Sequence, residues 1–428
     1  PWCKSYTKRN KWSKYIHEEN NYHWNDRDEL LKDDTYLKEL YQKIMPALAT
    51  DLNNIHSVKH DLQYWKIFVG LWLIRFLYVS YDRWRSIELA FKKYNIETTT
   101  DLDISLDDII LENSQESIRA FGNDLWNNFI YLDIIKFNFR EKTDLVRTEY
   151  TYDKKIIYSN PNDLNVNSLI NNKVKIILKK LLSYFSSPIS LINKVVFFAP
   201  GLSKKLIMQI ELNLYQIPAI LEFNVNPAFD TRIKKEREQK INFGSNNQFE
   251  TYLEKSLLKF IPKSFIENYA KIKDININRI LPKNPKLIIT STGLYLNDSF
   301  KLWTAEKISK GSKLAIIQHG GNYGSGKFGS NEFYELDTCN SFINWGQWKN
   351  DLNNGCNIEH NKKISELEVD TYEIPKTKYN PNGAILILLM AFPRYLTIVE
   401  STHLGPTLKS YTNELIETTN ELISLNKD

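Results

Sequence analysis

Four short apolar segments, KVVFFAP (194–200), KLIITST (286–292), KLAIIQH (313–319) and SFINW (341–345), are separated by stretches of helical pattern. Strands this short and this apolar are buried on both faces, and helices between them act as the crossovers of a parallel sheet. The intervening stretches 202–216, 250–272 and 299–311 read as helices, and IPAILEF (217–223) as a further strand. The charged tract RIKKEREQK (232–240) reads as solvated. This pattern predicts an α/β fold with a doubly wound, Rossmann-like sheet.

Residues 26–95 are helical in character, with a break or kink expected at Pro46. The run IFVGLWLIRFLYV (67–79) is too short for a membrane span of roughly 20 residues, and Arg75 interrupts it. A buried helix is the reading, with Arg75, Arg83 and Arg85 on its wetter side. The stretch DLDISLDD (101–108) is an acidic, turn-like connection. Asp101-x-Asp103 has the letters of a metal-binding DxD, but without a clear apolar strand before it no metal is expected.

The resulting organisation is a helical N-terminal subdomain (1–110), a Rossmann-like domain (111–361), a polar linker (362–383) and a fresh βα unit (384–428). That last unit, AILILLMAF followed by a helix over 407–425, cannot bury its own faces. It reads as the truncated start of a second Rossmann-like domain. The chain opens on Pro1 and closes on NELISLNKD, so both ends read as cut.

A length of 428 residues suits more than one core, and 25% charged with 42% hydrophobic residues is a soluble balance. The net charge of +5 is spread singly, without the basic stripe that nucleic acid would require. Cys3, Cys339 and Cys356 form neither a CxxC nor a disulfide framework, which indicates a reducing, cytoplasmic compartment. A peripheral contact with the inner face of a membrane, through the basic and aromatic N-terminus, is a secondary expectation. The 13% aromatic content is read first as large aromatic cores and second as stacking surfaces for sugars or bases.

After the strand at 313–318, the chain runs into His319 and then five glycines within ten residues. Gly321, Gly326 and Lys327 match the letters of a phosphate-binding P-loop. Phe328 replaces the Ser or Thr that would hold magnesium, and Gly329-Ser330-Asn331 opens a helix poorly. Gly324-x-Gly326-x-x-Gly329 likewise fits dinucleotide letters without the strand–turn–helix context, and a G-x-S-x-G serine elbow is missing. The stronger reading is a ligand loop at the carboxyl edge of a parallel sheet. His319 titrates near neutrality and suits a general base or a phosphate partner. Gly320 and Gly321 let backbone amides approach a ligand, and Glu332 or Glu335 orients the histidine or takes the base role. A tight turn with a hydrogen-bonded histidine fits the spacing equally.

Two blocks then join. LNNIH (52–56) with YWKIFVGLWL (64–73) precedes QHGGNYG (318–324), with Glu332, Glu335 and Trp345-Gly346 following, and Phe392-Pro393-Arg394-Tyr395 comes after the linker. In order and spacing this resembles a bacterial family of surface-polysaccharide (O-antigen) biosynthesis transferases that look like GT-B glycosyltransferases. The resemblance covers most of the chain. The matching positions are His56, Tyr64, Trp65, Gly70 and Trp72 in the first block. In the second they are Gln318, His319, Gly320, Gly321, Tyr323, Gly324, Glu335, Trp345 and Gly346.

The resemblance implies metal-independent sugar transfer from a nucleotide-sugar donor to a glycan or lipid-linked glycan acceptor, with no cofactor. It makes His319 and Glu335 the catalytic pair. Gln318, Gly320, Gly321, Tyr323, Gly324, Glu332, Arg394 and Tyr395 would bind substrate or phosphate, with Arg394 facing the cleft from the second domain. Two departures stand out: Asn340 where an acidic residue is expected, and Gln347 where an aromatic is expected. With one βα unit of the donor domain, most nucleotide contacts would fall outside the chain, which alone would be an inactive fragment. The alternative reading is a non-catalytic or degenerate glycan- or nucleotide-binding partner.

Overall fold

The computed structural model describes residues 9–18, 20–150, 192–218, 232–274, 281–344, 363–366, 395–401 and 406–425. Helix α1 (Arg27–His56) starts at Asp26, whose carboxylate accepts the amides of Asp28 and Glu29. It runs on through Pro46, where a break was expected. The backbone hydrogen bond lost at proline is offset by burial of Ile44, Met45, Leu48 and Ala49 around it.

Helix α2 (Leu62–Lys93) is capped by Asp61, which accepts the Tyr64 amide at 2.7 Å. Every residue from Ile67 to Val79 is buried, as a helix apolar on all sides requires. The expected wet side is not there: Arg75 and Arg83 are buried as well, and Arg85 keeps some exposure. Among the described residues no helix is long and apolar enough to cross a membrane.

A small parallel pair, β1 (Thr98–Asp101) and β2 (Asp144–Arg147), is joined through α3 (Asp124–Asn138), which packs on α2. Asp101 closes β1, a polar strand, and both DxD carboxylates stand in ion pairs. Asp101 pairs with Lys136 at 2.8 Å and Asp103 with Arg147.

The main sheet begins with β3 (Val195–Phe198), followed by α4 (Lys204–Asn213) and α5 (Gln248–Phe260). The helix predicted over 250–272 ends at Phe260, ahead of Pro262, and the chain re-enters a short helix at Tyr269–Asp274. The tract 232–240 is not wholly solvated, since Arg237 is buried in a two-point pair with Glu267. Next come β4 (Leu287–Thr290), α6 (Asp298–Ile308), β5 (Lys313–Ile317), α7 (Ser330–Thr338), β6 (Ser341–Asn344), β7 (Lys363–Glu366) and finally α8 (Pro406–Leu425).

All five strands are parallel, in the order β3-β4-β5-β6-β7. Among the described strands this order follows the chain, without the reversal that marks a doubly wound sheet. Right-handed crossovers in such a sheet fall on one face, and α6 and α7 indeed both pack against α2. Residues 363–366, read as the start of a linker, form β7 of the same sheet. Of the strand predicted over 217–223, residues 219–223 lie outside the described residues, as does the whole strand predicted over 384–392.

One continuous core joins these layers, running from Leu37 and Tyr41 of α1 through Phe68, Trp72 and Phe76 of α2 to Trp303, Ile316 and Phe342. Its aromatic rings interlock, as in the Trp72–Phe76 stack at 5.0 Å. Here the aromatic richness of the chain goes into packing.

Candidate functional site

The carboxyl ends of β4 and β5 lie side by side, with Thr290 paired to Ile316. Gln318 continues β5 by donating its amide to the Ile343 carbonyl at 2.8 Å, and its side chain turns back to the Gly320 carbonyl at 2.7 Å. His319 is thereby left at the lip, with its side chain 24% exposed.

Three side chains close around that imidazole. Glu335 Oε1 lies 3.3 Å from Nδ1, and the Tyr323 hydroxyl lies 3.1 Å from the same nitrogen. Tyr295, from the short helix after β4, meets the ring edge-on with centroids 5.0 Å apart and donates its hydroxyl to Glu335 Oε1 at 2.5 Å. Glu335 is fully buried, and its Oε2 has no hydrogen-bond partner.

The electrostatics follow from this enclosure. Burial pushes the Glu335 carboxyl up to about 8, against the hydrogen bonds of Tyr295 and Tyr323, with Glu332 and Glu400 adding to the rise. Burial also holds His319 below its ordinary value, helped by the charge of Arg75 and opposed by Glu400. At neutral pH the pair is thus a protonated carboxyl beside a neutral imidazole. Such an imidazole can accept a proton from a ligand at the lip, with the Glu335 carboxyl fixing its orientation.

The glycine loop divides by role. A Cβ on Gly320 would lie 2.8 Å from Asn322 Oδ1, and Gly324 has a φ of +69°. The fold itself therefore favours glycine at both positions. Gly321 differs: a Cβ there would meet nothing within 4 Å, and its backbone is not left-handed. Among the described residues nothing requires glycine at 321, which leaves its backbone bare toward whatever approaches the loop. Glu332 accepts the Gly324 amide at 3.2 Å and so clasps the loop to α7. Lys327 is exposed, and α7 begins only at Ser330, so the P-loop letters do not make a P-loop.

Helix α7, which carries Glu335, is fastened to α2 along its length. Gln63 donates to the Thr338 carbonyl, Lys66 pairs with Asp337, and the Tyr334 hydroxyl donates to the Ile67 carbonyl. Arg75 donates through Nε and Nη2 to Asn331 Oδ1 at 3.2 and 2.8 Å. The α7 N-terminus opens on Gly329, which offers no capping side chain. Glu400 caps it from seventy residues away, accepting the amides of Ser330 and Asn331 at 3.0 and 2.8 Å.

The structure thus brings His319, Glu335 and Tyr323 together and ties Gln318, Gly320, Gly324 and Glu332 into the loop that frames them. Arg394 lies outside the described residues. Tyr395 sits with its ring 5.5 Å from the Arg83 guanidinium. Arg83 in turn donates to the Leu396 carbonyl, and Leu396 and Val399 are buried, so the segment 395–401 belongs to this core. Asn340, standing where an acid was expected, bonds β5 to β6: its Oδ1 accepts the Leu314 amide and its own amide reaches the Leu314 carbonyl.

The first sequence block has a packing role. Asn53 Oδ1 accepts the Trp65 indole N–H, His56 bonds the Phe265 carbonyl and stacks on Tyr269 at 4.1 Å, and the Tyr64 and Tyr269 hydroxyls meet. Burial lowers His56 to about 4, so it stays neutral. Sequence reading missed Arg75, Tyr295, Asn331 and Glu400. Only Arg75 left a trace, as a cation inside an otherwise unbroken apolar run.

No curated protein and no solved structure matches the chain. A family model does match, that of the LIC12162 family transferase, over residues 1–422. The chain belongs to the LIC12162 family of transferases.

Proposed function

We propose that the group transferred is a glycosyl residue, moved from a nucleotide-sugar to a hydroxyl of a surface-polysaccharide precursor at the lip of β5, in a GT-B-like architecture. The observation that carries this reading is the His319–Glu335 pair. A neutral imidazole stands at the carboxyl edge of a parallel sheet, backed by a buried carboxyl and fronted by a bare glycine backbone.

In the proposed reaction the acceptor oxygen attacks the anomeric carbon and its proton passes to His319. The bond from that carbon to the phosphate oxygen breaks, and the nucleoside diphosphate departs with the bonding pair. Glu335 keeps the imidazole oriented. The DxD carboxylates, engaged by Lys136 and Arg147, are not assigned to a metal, and protein cations and amides meet the leaving phosphate.

Thermal-shift measurements against UDP-, GDP-, CMP- and dTDP-linked sugars test the donor class. A ligand at a hundredfold excess over its Kd adds about 2.7 kcal/mol. With the donor identified, His319→Ala is expected to lower turnover by roughly two to four orders of magnitude without unfolding the protein. A folded protein indifferent to all four classes would overturn glycosyl transfer, and near-normal turnover in the variant would remove His319 from the chemistry.

A further inference from the structure

Three arginines are buried within the described core, and two of them are saturated. Arg83 bonds Asp82, Asn127 and the carbonyls of Phe121 and Leu396. Arg237 pairs at two points with Glu267 and donates to three further carbonyls. Arg75 is different. It is 5% exposed, yet among the described residues its hydrogen bonds go to one neutral amide oxygen, that of Asn331, through Nε and Nη2. Among the described residues no carboxylate stands at ion-pair distance from it, and Nη1 donates to nothing.

Burying an arginine without a contacting counter-charge is costly, and a core that needed only volume would hold leucine or methionine at this place. The same enclosure pulls the guanidinium below its ordinary pKa, with burial the largest cause. Its position gives the charge a use. The guanidinium lies 5.1 Å over the Tyr295 ring, and that ring meets His319 edge-on. Arg75 and His319 thus share one aromatic floor, and the bare backbone at Gly321 follows directly in the chain.

We propose that Arg75 is an anion seat for a phosphate or diphosphate ester bound at the lip of β5, with Nη1 left free to receive it. The proposal deepens the glycosyl-transfer reading and rests on it for the identity of the ester. A guanidinium presents a planar fork that matches phosphate oxygens, and in a dry site it stabilises charge that develops on a departing phosphate. Asn331 holds the fork by the side away from the ligand, and Glu400 holds Asn331 by its amide. The diphosphate has two chemical sources, a nucleoside diphosphate donor or a lipid diphosphate acceptor.

The probe is inorganic pyrophosphate, read by thermal shift at constant ionic strength on the whole chain, in three proteins: wild type, Arg75→Gln and Asn331→Asp. Wild type is expected to gain stability with pyrophosphate. Arg75→Gln is expected to fold at least as stably as wild type without ligand, because it removes a buried charge that no carboxylate contacts. Its apparent affinity for pyrophosphate should fall roughly tenfold or more, the usual scale for losing a charge-assisted hydrogen bond. Asn331→Asp keeps Arg75 but sets a carboxylate against it, and should lose the response while remaining folded.

Equal responses in wild type and Asn331→Asp would overturn the seat, as would a wild type indifferent to pyrophosphate. If Arg75→Gln does not fold, Asn331→Asp alone decides. Repeating the shift with nucleoside diphosphates and with farnesyl diphosphate then names the owner of the group, since only the true source responds through Arg75. Because no sugar is present, a pyrophosphate response that stands while every nucleotide-sugar fails would leave the seat intact and remove only the glycosyl-transfer reading.

Discussion

Glu335→Gln is the perturbation whose effect can be worked most fully from the structure. The carboxyl is completely buried, accepts from Tyr295 on one oxygen and has no partner on the other. In the unfolded chain it titrates at its ordinary 4.5, and in the fold at about 8. Between those values the folded protein holds a proton that the unfolded chain has released. Stability therefore falls as pH rises from about 4.5 to about 8, and levels off above that. The whole gap, at about 1.4 kcal/mol per pH unit, is roughly 5 kcal/mol, and water entry or proton sharing with His319 brings it to about 2–5 kcal/mol.

Glutamine copies the protonated carboxyl in shape, acceptor and donor but cannot ionise. Urea midpoints of both proteins at pH 5, 7 and 9 provide the assay. They should nearly coincide at pH 5, with the glutamine variant ahead by about 2–5 kcal/mol at pH 9. His319 acts with the opposite sign. Its depressed pKa makes stability rise with pH up to about its ordinary 6.5, and since it is present in both proteins it cancels. A wild type that led at pH 9 would refute the reasoning. It would mean that the site stabilises a Glu335 carboxylate, and that His319 carries the proton instead.

Two further outcomes follow from packing and capping. On Gly70→Ala the new methyl would overlap the Tyr41 hydroxyl and stand 3.3 Å from the Tyr334 ring, so overpacking should cost about 1–3 kcal/mol; a urea midpoint equal to or above wild type would contradict that contact. Glu400→Gln weakens the cap on α7 by about 1 kcal/mol or more, and should speed hydrogen exchange at the Ser330 and Asn331 amides while leaving α6 unchanged; uniform exchange across both helices would show that the cap is idle.

Much of the sheet was legible because its signal is local. The strands at 195–198, 287–290, 313–317 and 341–344 fall inside the apolar runs that announced them, each within a residue or two of a polar turn. His319 and Glu335 were legible through the glycine loop and the block they share. What stayed hidden depends on contacts between distant segments. Arg75 carries the same letter as Arg85, four turns of apolar sequence surround it, and only the packing of α6 and α7 over α2 decides that it is buried. Tyr295 follows β4 with no motif, and Glu400 reads as a loop glutamate until α7 needs a cap that Gly329 cannot supply. Pro46 misled for a related reason: the local cost of proline was read correctly, but burial on both sides of it outweighed that cost.

The two sequence blocks that carried the family resemblance stand about 250 residues apart, and the structure gives a physical reason for their pairing. Helix α2 is the bed on which α7 lies. Gln63, Lys66, the Ile67 carbonyl and Arg75 each hold successive points of α7, and Gly70 clears the space for Tyr334 between them. Because four of these contacts involve side chains or a missing side chain on α2, a shift of α2 would move α7. Glu335 lies within α7, one residue from Tyr334, and its oxygen stands 3.3 Å from His319. A displacement of 1 Å would lengthen that contact beyond hydrogen-bond reach. The N-terminal helices therefore act on the site as its frame and, through Arg75, as a contributor of charge. Substitutions at the α2–α7 seam that leave the protein folded should consequently impair transfer as severely as substitutions in the glycine loop, although none of them touches the loop itself.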